Sequence, residues 1–440
     1  MPDTVSFCRV EHGKRQSEYR RRVVDDELDD LIGGGAAAIA IDGAKAIGKT
    51  ATARQRVARA LMLEDPDVRA VIAADPRRIT DGPSVLIDEW HHVPATWDVV
   101  RRAVDAGAAP GQFLFTGSAS APHAGTHSGA GRIIAMRMRP MSLYERGIGQ
   151  PTVSLRTLLT GERPSLSGET DIGLDEYVDE IVRSGFPDIR NKVDRVRREQ
   201  LRGYVQRVID RDVPDIMGRS LRNPMAMRRW LTAYAAATAT VASYERIRDA
   251  ATSGEGDKPS KTATIPYRDM LEALYLLDPV PAWLPGLSHI AELASAPKHH
   301  LIDPAITASL LGLGPGALLS GQRNPLPLPR DGMFLGSLFE SLVALNVRVF
   351  AQNSEAMVGH LRTHRGEHDV DLIVERSDRR VVAIETKLSA EVNDHDVRHL
   401  RWLGDTIGDG LLDAVVVSTG RFAYRRRDGI AVVPAALLGP

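Results

Sequence analysis

Gly43-Ala44-Lys45-Ala46-Ile47-Gly48-Lys49-Thr50 is the stretch that decides the expected fold of this 440-residue chain. It fits the pattern G-x-x-x-x-G-K-[ST] and lies between an apolar run, Ala36 to Ile41, and a helical pattern. Glycines in such a loop let successive backbone amides turn towards an anion, and the helix that follows adds its positive N-terminal end. The stretch therefore predicts a phosphate-binding loop between a strand and a helix.

The side chains of this loop have expected roles towards a nucleoside triphosphate. Lys49 would reach the β- and γ-phosphates with its ammonium group, and Thr50 would ligate Mg²⁺ through its hydroxyl group. The chain contains only 8 lysines among its 56 basic residues, which makes a lysine at this position more informative. The predicted binding set is Gly43, Ala44, Lys45, Ala46, Ile47, Gly48, Lys49 and Thr50.

Composition indicates a soluble globular protein with more than one domain. Hydrophobic residues make up 43% of the chain and charged residues 26%. The net charge of -1 provides no global positive field, so any contact with nucleic acid would depend on a local patch. The single cysteine, Cys8, is typical of a reducing compartment. Because we find neither a signal-peptide pattern nor a run of 18 apolar residues, we expect a cytoplasmic protein without a membrane-spanning helix.

Short apolar runs alternate with helical patterns over residues 36 to 145. The helical patterns cover residues 17–32, 52–63 and 96–105. The strand patterns that follow the first strand cover residues 68–73, 85–89 and 112–118. This alternation predicts an α/β domain over residues 1–150, built as a three-layer parallel sheet with its ligand at the carboxyl ends of the strands.

The rest of the chain is expected to contain two further regions. Residues 160–173 are rich in Gly, Ser, Pro and acidic residues and predict a flexible loop or linker. Residues 174–325 are mostly helical by pattern, with plain helical packing and a winged-helix-like unit as alternatives. Residues 332–440 predict a separate α/β domain that contains a helix, two strands, a second helix and a further strand.

An acidic pair follows the strand pattern that lies about 40 residues after the loop. Asp88 would hold the Mg²⁺ shell, and Glu89 would polarise an attacking water molecule. Thr116 and Ser118, at the end of the next strand, would hydrogen-bond the water or the γ-phosphate. Arg132, on a glycine-rich loop, is the candidate for a second catalytic cation, with Arg137 and Arg139 as competitors.

The chain resembles a bacterial and archaeal family of AAA-like P-loop ATPases that carry a C-terminal restriction-endonuclease-like domain. Besides the loop, the resemblance rests on Ile87-Asp88-Glu89-Trp90, Phe115-Thr116-Gly117-Ser118, Gly131-Arg132, Arg139-Pro140-Met141-Ser142 and Ser184-Gly185-Phe186-Pro187. It implies ATP and Mg²⁺ as cofactors, with the acidic pair as metal-shell and water-activating residues. Ala44 departs from the Pro or Arg that many members carry, and we expect binding to survive this change.

A second set of acidic residues lies in the C-terminal region. Asp371 and Glu385 stand on successive strand patterns that a hairpin would bring together, and Lys387 repeats the strand spacing two positions later. With Glu340 from the preceding helix, the set resembles the PD-(D/E)XK nuclease pattern, in which the acids bind Mg²⁺ and the lysine activates water. The nearest basic cluster is Arg421, Arg425, Arg426 and Arg427, which fits either phosphate contacts or a solvated turn.

The histidines give no metal-site pattern. Adjacent residues such as His91-His92 and His299-His300 do not easily share one ion, and His395 and His399 lack a completing ligand.

Taken together, the loop and the acidic pair predict a slow Mg²⁺-dependent ATP hydrolase that acts as a nucleotide-controlled switch. The alternatives are an ATP-regulated nuclease that acts on DNA through the C-terminal domain, and a binding module with degenerate sites. A membrane partner is not expected, whereas a homo-oligomer or a partner protein stays open.

Overall fold

The computed structural model describes residues 19–117, 129–217, 220–221, 223–252, 261–286, 295–323, 330–363 and 366–440. The chain divides into two units, Met1–Met138 and Arg139–Pro440, which we call unit 1 and unit 2. Ser118, Cys8 and most of the loop before residue 261 lie outside the described residues.

A five-stranded parallel sheet forms the centre of unit 1. Its strands are β1 (Ala38–Asp42), β2 (Arg59–Met62), β3 (Val85–Asp88), β4 (Phe113–Gly117) and β5 (Ile134–Arg137). They are arranged in the order β2-β3-β4-β1-β5, and every neighbouring pair is parallel. All five carboxyl ends therefore meet at one edge, which confirms the predicted parallel α/β domain.

The three central strands are continuous apolar runs because both faces of the sheet are covered. Residues 38–41 of β1, 85–87 of β3 and 113–115 of β4 are all buried. Within residues 19–117 and 129–138, four α-helices accompany these strands: α1 (Val24–Gly33), α2 (Lys49–Arg54), α3 (Pro66–Ala74) and α4 (Ala95–Asp105).

The sequence prediction for residues 52–73 is wrong. The predicted helix over 52–63 ends at Arg54 and gives way to β2, and the predicted strand over 68–73 is helix α3. Asp65 caps α3 by accepting a hydrogen bond from the Asp67 amide, and Pro66 occupies the first turn. Both are helix-start signals that outweigh the β-branched residues of the segment.

Helices dominate unit 2 from residue 174 to residue 323. In chain order the helices of unit 2 are α5 (Leu143–Arg146), α6 (Leu155–Leu158), α7 (Leu174–Arg183), α8 (Pro187–Arg190), α9 (Asp194–Arg207), α10 (Val213–Met217), α11 (Pro224–Ala236), α12 (Tyr244–Ala251), α13 (Lys261–Ala273), α14 (Pro304–Leu311), α15 (Pro315–Arg323), α16 (Arg330–Asn353) and α17 (Arg398–Ile407). A π-helical turn, Val208–Asp212, joins α9 to α10. Among the described residues of 174–323 only isolated β-bridges occur, so plain helical packing, rather than a winged-helix-like unit, describes this region.

A seven-stranded mixed sheet forms the C-terminal part of unit 2. Its strands are β7 (Gly168–Glu169), β8 (Met357–Arg362), β9 (Asp369–Glu375), β10 (Val381–Lys387), β11 (Leu411–Ser418), β12 (Phe422–Arg425) and β13 (Ala431–Pro434), in the order β7-β12-β13-β11-β10-β9-β8. A separate parallel pair joins β6 (Val153–Ser154) to β14 (Leu438–Gly439). The predicted hairpin is confirmed, because β9 and β10 pair antiparallel with Leu372 opposite Ile384.

The expected linker at residues 160–173 is part of the unit 2 fold. Its residues 168–169 form β7, which pairs with β12 at the edge of the sheet. Arg163 donates hydrogen bonds to the carbonyl oxygens of Leu411 and Leu412. The polar composition therefore predicted a loop correctly, but this loop is attached to the unit 2 sheet and is not a linker between separate domains.

Helix α16 contains a stretch, Phe334–Asn353, that is long and apolar enough to cross a membrane. Within the unit, however, 72% of an 18-residue window in this stretch is buried. Leu335, Leu338, Phe339 and Leu342 are all buried in unit 2. The apolar character of the helix is thus accounted for by a protein core, and a cytoplasmic location stays a prediction.

Candidate functional site

The loop after β1 has a backbone that requires its two glycines. Gly43 has a φ of 153°, and a Cβ atom there would stand 2.4 Å from the Met138 carbonyl oxygen and 2.6 Å from Ile47 Cδ1. Gly48 has a φ of 105° and caps α2. Both values lie where side chains are strained. The glycines of the motif thus permit a tight turn at the carboxyl edge of the sheet.

Lys49 is buried at the base of this loop. Its Nζ atom donates hydrogen bonds to the carbonyl oxygens of Gly43 and Ala44, each at 2.8 Å. Burial lowers the pKa of the Lys49 ammonium to about 8, while the carboxylates of Glu89, Asp88 and Asp42 act in the opposite direction. The ammonium group is thus held against two carbonyl oxygens of the loop, where the phosphates of a bound nucleotide would add negative charge beside it.

Two hydroxyl groups converge on one carboxylate oxygen beside Lys49. Thr50 Oγ1 donates to Asp88 Oδ1 at 2.6 Å, and Thr116 Oγ1 donates to the same oxygen at 2.5 Å. Asp88 is the last residue of β3, Thr116 is the next-to-last residue of β4, and the two are aligned with one another in the sheet. The structure therefore brings together three of the predicted residues from three separate elements.

Glu89 follows Asp88 in a left-handed backbone conformation, with a φ of 49°. This conformation is uncommon for a residue with a side chain and turns the chain sharply out of β3. Its Oε2 atom lies 3.3 Å from His91 Nδ1. The sequence had suggested no role for His91, and the signal that could have revealed it is its position two residues after the acidic pair.

Residues before α1 also reach the loop, which the sequence did not predict. Arg22 is buried and donates through Nη1 to the Ile47 carbonyl oxygen at 2.9 Å. Tyr19 donates to Asp25 at 2.5 Å and lies 2.9 Å from Thr52 Oγ1 on α2. These contacts brace the loop and the start of α2 from outside the motif.

In unit 2 the hairpin of β9 and β10 brings together the predicted acidic residues. Asp371 Oδ2 accepts hydrogen bonds from Thr386, at 2.9 Å from the amide and 2.7 Å from Oγ1. Lys387 Nζ lies 2.9 Å from Glu385 Oε1. Burial and the nearby charge of Asp371 raise the pKa of Glu340 to about 8 and the pKa of Glu385 to about 8. We call Glu340, Asp371, Glu385 and Lys387 the carboxylate cluster.

A further lysine, which the sequence did not predict, lies inside this cluster. Lys298 Nζ is 2.8 Å from Glu340 Oε1 and 3.0 Å from Asp371 Oδ1, and its side chain is only 3% exposed. Burial acts to lower the pKa of Lys298, but the carboxylates of Asp371 and Glu340 outweigh it and hold that pKa above its usual range. Lys298 is therefore a fixed positive charge between two of the predicted metal ligands.

The predicted arginine cluster is engaged by carboxylates. Arg425 forms a bidentate pair with buried Asp413, and Arg421 lies 2.7 Å from Glu169 and 2.9 Å from Asp171. Arg426 contacts Asp394 at 2.6 Å and Asp428 at 3.3 Å. Three of the four arginines are thus neutralised locally, which favours the structural interpretation of this cluster over phosphate contacts.

Comparison with known proteins assigns families to three parts of the chain. Residues 36–146 match the model of an AAA domain. Residues 174–317 and 335–438 match two domains of unknown function, DUF8612 and DUF4143. The match to the AAA domain agrees with nucleotide binding at the loop, and all the predicted loop residues fall within it.

Two further comparisons add little to this assignment. Among proteins of curated function, none matches the chain. The solved structure of a Walker-type ATPase of Pyrococcus abyssi is similar over 68% of this chain and 97% of its own, at 13% identity and a TM-score of 0.40.

The structure does not bring Arg132 to the loop at residues 43–50. Arg132 precedes β5 at the amino-terminal edge of the sheet, where its Nε atom donates to Asp105 Oδ1 at 2.7 Å. Because β5 runs parallel to β1, Arg137 at the other end of the strand is the residue aligned with Asp42, next to the loop. Arg139 lies in unit 2 and pairs with Asp278 at 3.0 Å. Of the three arginines considered, Arg137 has the placement that a loop contact requires.

Proposed function

We propose that the protein binds ATP at residues 43–50 and hydrolyses it slowly in a Mg²⁺-dependent reaction that acts as a switch. The observation that carries the proposal is the convergence of Thr50 and Thr116 on Asp88, beside the buried ammonium group of Lys49. The match of residues 36–146 to an AAA domain supports it. The limits 1–150, 174–325 and 332–440 are our proposed domain boundaries, and the three matched ranges support them.

The residues present fit a Mg²⁺ ion. Thr50 Oγ1 and Asp88 Oδ1 are hard oxygen ligands held 2.6 Å apart at the carboxyl edge of the sheet. When bound, Mg²⁺ would neutralise charge on the phosphate oxygens. Thr116 orients the Asp88 carboxylate, because its hydroxyl group donates to the oxygen that also accepts from Thr50.

Glu89 is the residue that we propose as the general base. It directly follows Asp88, and its left-handed backbone directs the chain away from β3 at the edge where the loop lies. His91 Nδ1 lies 3.3 Å from Glu89 Oε2, so a protonated His91 would form an ion pair with this carboxylate. A carboxylate so placed accepts a proton from an attacking water molecule as the bond to the γ-phosphate forms.

The contacts of the loop support the proposal that turnover is slow. Lys49 donates to two loop carbonyl oxygens at 2.8 Å, so phosphate binding must replace hydrogen bonds that already exist. The left-handed backbone of Glu89 also carries a conformational cost. Both features favour a protein in which each nucleotide state is long-lived, rather than a metabolic enzyme with rapid turnover.

The switch proposal rests on the place where the chain leaves unit 1. Gly43, the first loop residue, packs so closely on Met138 that a Cβ atom would stand 2.4 Å from its carbonyl oxygen. Met138 also donates its amide to the Asp42 carbonyl oxygen at 2.8 Å, and it is the last residue of unit 1. A change in the loop on nucleotide binding would therefore reach the point at which the chain enters unit 2.

Two measurements on the full chain test this proposal. Phosphate release from ATP should be measurable in the wild-type protein and lost in Lys49→Ala. Hydrogen exchange of amides near residues 138–146 should differ between the nucleotide-free and ATP-bound protein, and should not respond to ATP in Lys49→Ala. ATP turnover without any change in hydrogen exchange would contradict the proposed switch. Unchanged turnover in Lys49→Ala would mean that residues 43–50 are not the site of hydrolysis.

We do not extend the proposal to cleavage of nucleic acid. The hairpin brings Asp371 and Glu385 together as the nuclease pattern requires. Lys298 nevertheless occupies the space between Glu340 and Asp371, and most of the nearby arginines pair with carboxylates. These contacts favour the binding-module alternative for the C-terminal region.

A further inference from the structure

Lys298 is held in the carboxylate cluster by its backbone as well as by its side chain. Its amide donates to the Val280 carbonyl oxygen at 2.9 Å, and the Val280 amide donates back at the same distance. Two residues away, the Ala296 carbonyl oxygen lies 3.1 Å from His360 Nε2 on β8. The segment that carries Lys298 is thus fixed on both sides, so the ammonium group is part of the fold.

The oxygens of Asp371 are both engaged. Oδ1 faces the Lys298 ammonium at 3.0 Å, and Oδ2 accepts two hydrogen bonds from Thr386. Glu385 Oε1 is paired with Lys387 at 2.9 Å. Glu385 Oε2 is buried and has no hydrogen-bond partner in the part of the chain that the structure describes. One oxygen, however, does not make a site for a cation that takes six ligands.

A divalent ion between Glu340 and Asp371 would need the position that the ammonium group holds. Mg²⁺ binds oxygen at about 2.0–2.1 Å and repels a positive charge at close range. The two carboxylates approach one Nζ atom at 2.8 and 3.0 Å, which is the spacing of charge-assisted hydrogen bonds. The residues present therefore do not fit the metal that the nuclease resemblance implies.

We propose that Lys298 is an internal cation that replaces the divalent metal ion between Glu340 and Asp371. The carboxylate cluster then joins the segment around residue 298 to helix α16 and strand β9 without any metal. A site held in this way has a structural role and does not catalyse metal-dependent cleavage of a phosphodiester bond. This inference is independent of nucleotide binding at residues 43–50.

Binding of Mn²⁺ to the nucleotide-free full chain tests the proposal, with free Mn²⁺ measured by electron paramagnetic resonance. Wild-type protein and Asp371→Asn should bind the same number of ions, because Asp371 is not a metal ligand while Lys298 is present. Any Mn²⁺ at Thr50 and Asp88 is common to both proteins and cancels. One ion fewer in Asp371→Asn would overturn the proposal.

Removal of the lysine provides the second arm. Lys298→Met should gain one Mn²⁺ that the double variant Lys298→Met, Asp371→Asn lacks. Lys387→Met, which removes the lysine that pairs with Glu385, should gain none. The proposal fails if folded Lys298→Met gains no ion, or if Lys387→Met gains the same one. If Lys298→Met does not fold, the comparison of wild type with Asp371→Asn decides the matter alone.

Discussion

Thr50 Oγ1 lies 2.6 Å from Asp88 Oδ1, although 38 positions of sequence separate the two residues. The sheet order creates this contact, because the loop after β1 and the end of β3 meet at one edge with β4 between them. Asp88→Asn should therefore weaken Mg²⁺-dependent ATP binding by about tenfold or more, since a hydrogen bond or metal contact to a charged group contributes about 1.5–3 kcal/mol. Binding without Mg²⁺ should change little.

Thr116→Val is the matched control for that substitution. It removes the 2.5 Å hydrogen bond to Asp88 but leaves both proposed metal ligands in place. Calorimetric titration of both variants should show a clearly smaller loss for Thr116→Val. Equal losses would mean that the arrangement of Asp88, rather than its charge, determines Mg²⁺ affinity.

Glu89→Gln should keep ATP affinity and lower turnover by about 10²-fold or more, because positioned general bases contribute about that much. The amide has nearly the same shape but does not accept a proton from water. His91→Gln, which alters the partner 3.3 Å from the carboxylate, should lower turnover to a smaller extent. Single-turnover phosphate release measures the two variants separately. Unchanged turnover in Glu89→Gln would mean that Glu89 is not the general base.

Gly43→Ala should destabilise unit 1 by about 1–3 kcal/mol, because the added Cβ atom would overlap the Met138 carbonyl oxygen and Ile47 Cδ1. Gly33→Ala is the control, since no atom lies within 4 Å of the corresponding Cβ position. Urea denaturation of the two variants measures the difference. Equal stability would show that the close approach at Gly43 is not maintained in solution.

ATP binding should take up a proton at a pH just above 8. Burial lowers the pKa of Lys49 to about 8 in the free protein, and an adjacent triphosphate would raise that pKa again. Affinity should therefore fall as pH rises above about 8, because the ammonium group must regain its proton on binding. Calorimetry in two buffers with different ionisation enthalpies gives the number of protons. Lys45→Ala should retain proton uptake, and loss of uptake in that variant would mean that Lys45, and not Lys49, takes up the proton.

The sequence predicted the features that a local pattern encodes. The central strands of unit 1 and the β9–β10 hairpin are continuous apolar runs or alternations, and the structure confirms them. Residues 59–74 contain apolar residues that suit either a strand or a helix, so their order was reversed. There the capping signals at Asp65 and Pro66 were more informative than the residue types that follow.

Contacts between distant segments were beyond sequence reasoning. Lys298 lies 42 positions before Glu340 and 73 before Asp371, on a segment without regular secondary structure, so no spacing rule connects them. Arg22 likewise reaches the loop from 25 positions away. Arg132 was chosen because it lies on a glycine-rich loop, whereas the direction of β5 determines which arginine stands near residues 43–50.

Equilibrium binding of ATP in the presence of Mg²⁺ to wild-type protein and to Lys49→Ala tests the central claim most directly. Wild-type protein should saturate below millimolar ATP, and Lys49→Ala should bind about ten- to a hundredfold more weakly, because the buried ammonium group is lost. A wild-type protein that binds no ATP at millimolar concentration, or a Lys49→Ala protein that binds as tightly as wild type, would contradict the account.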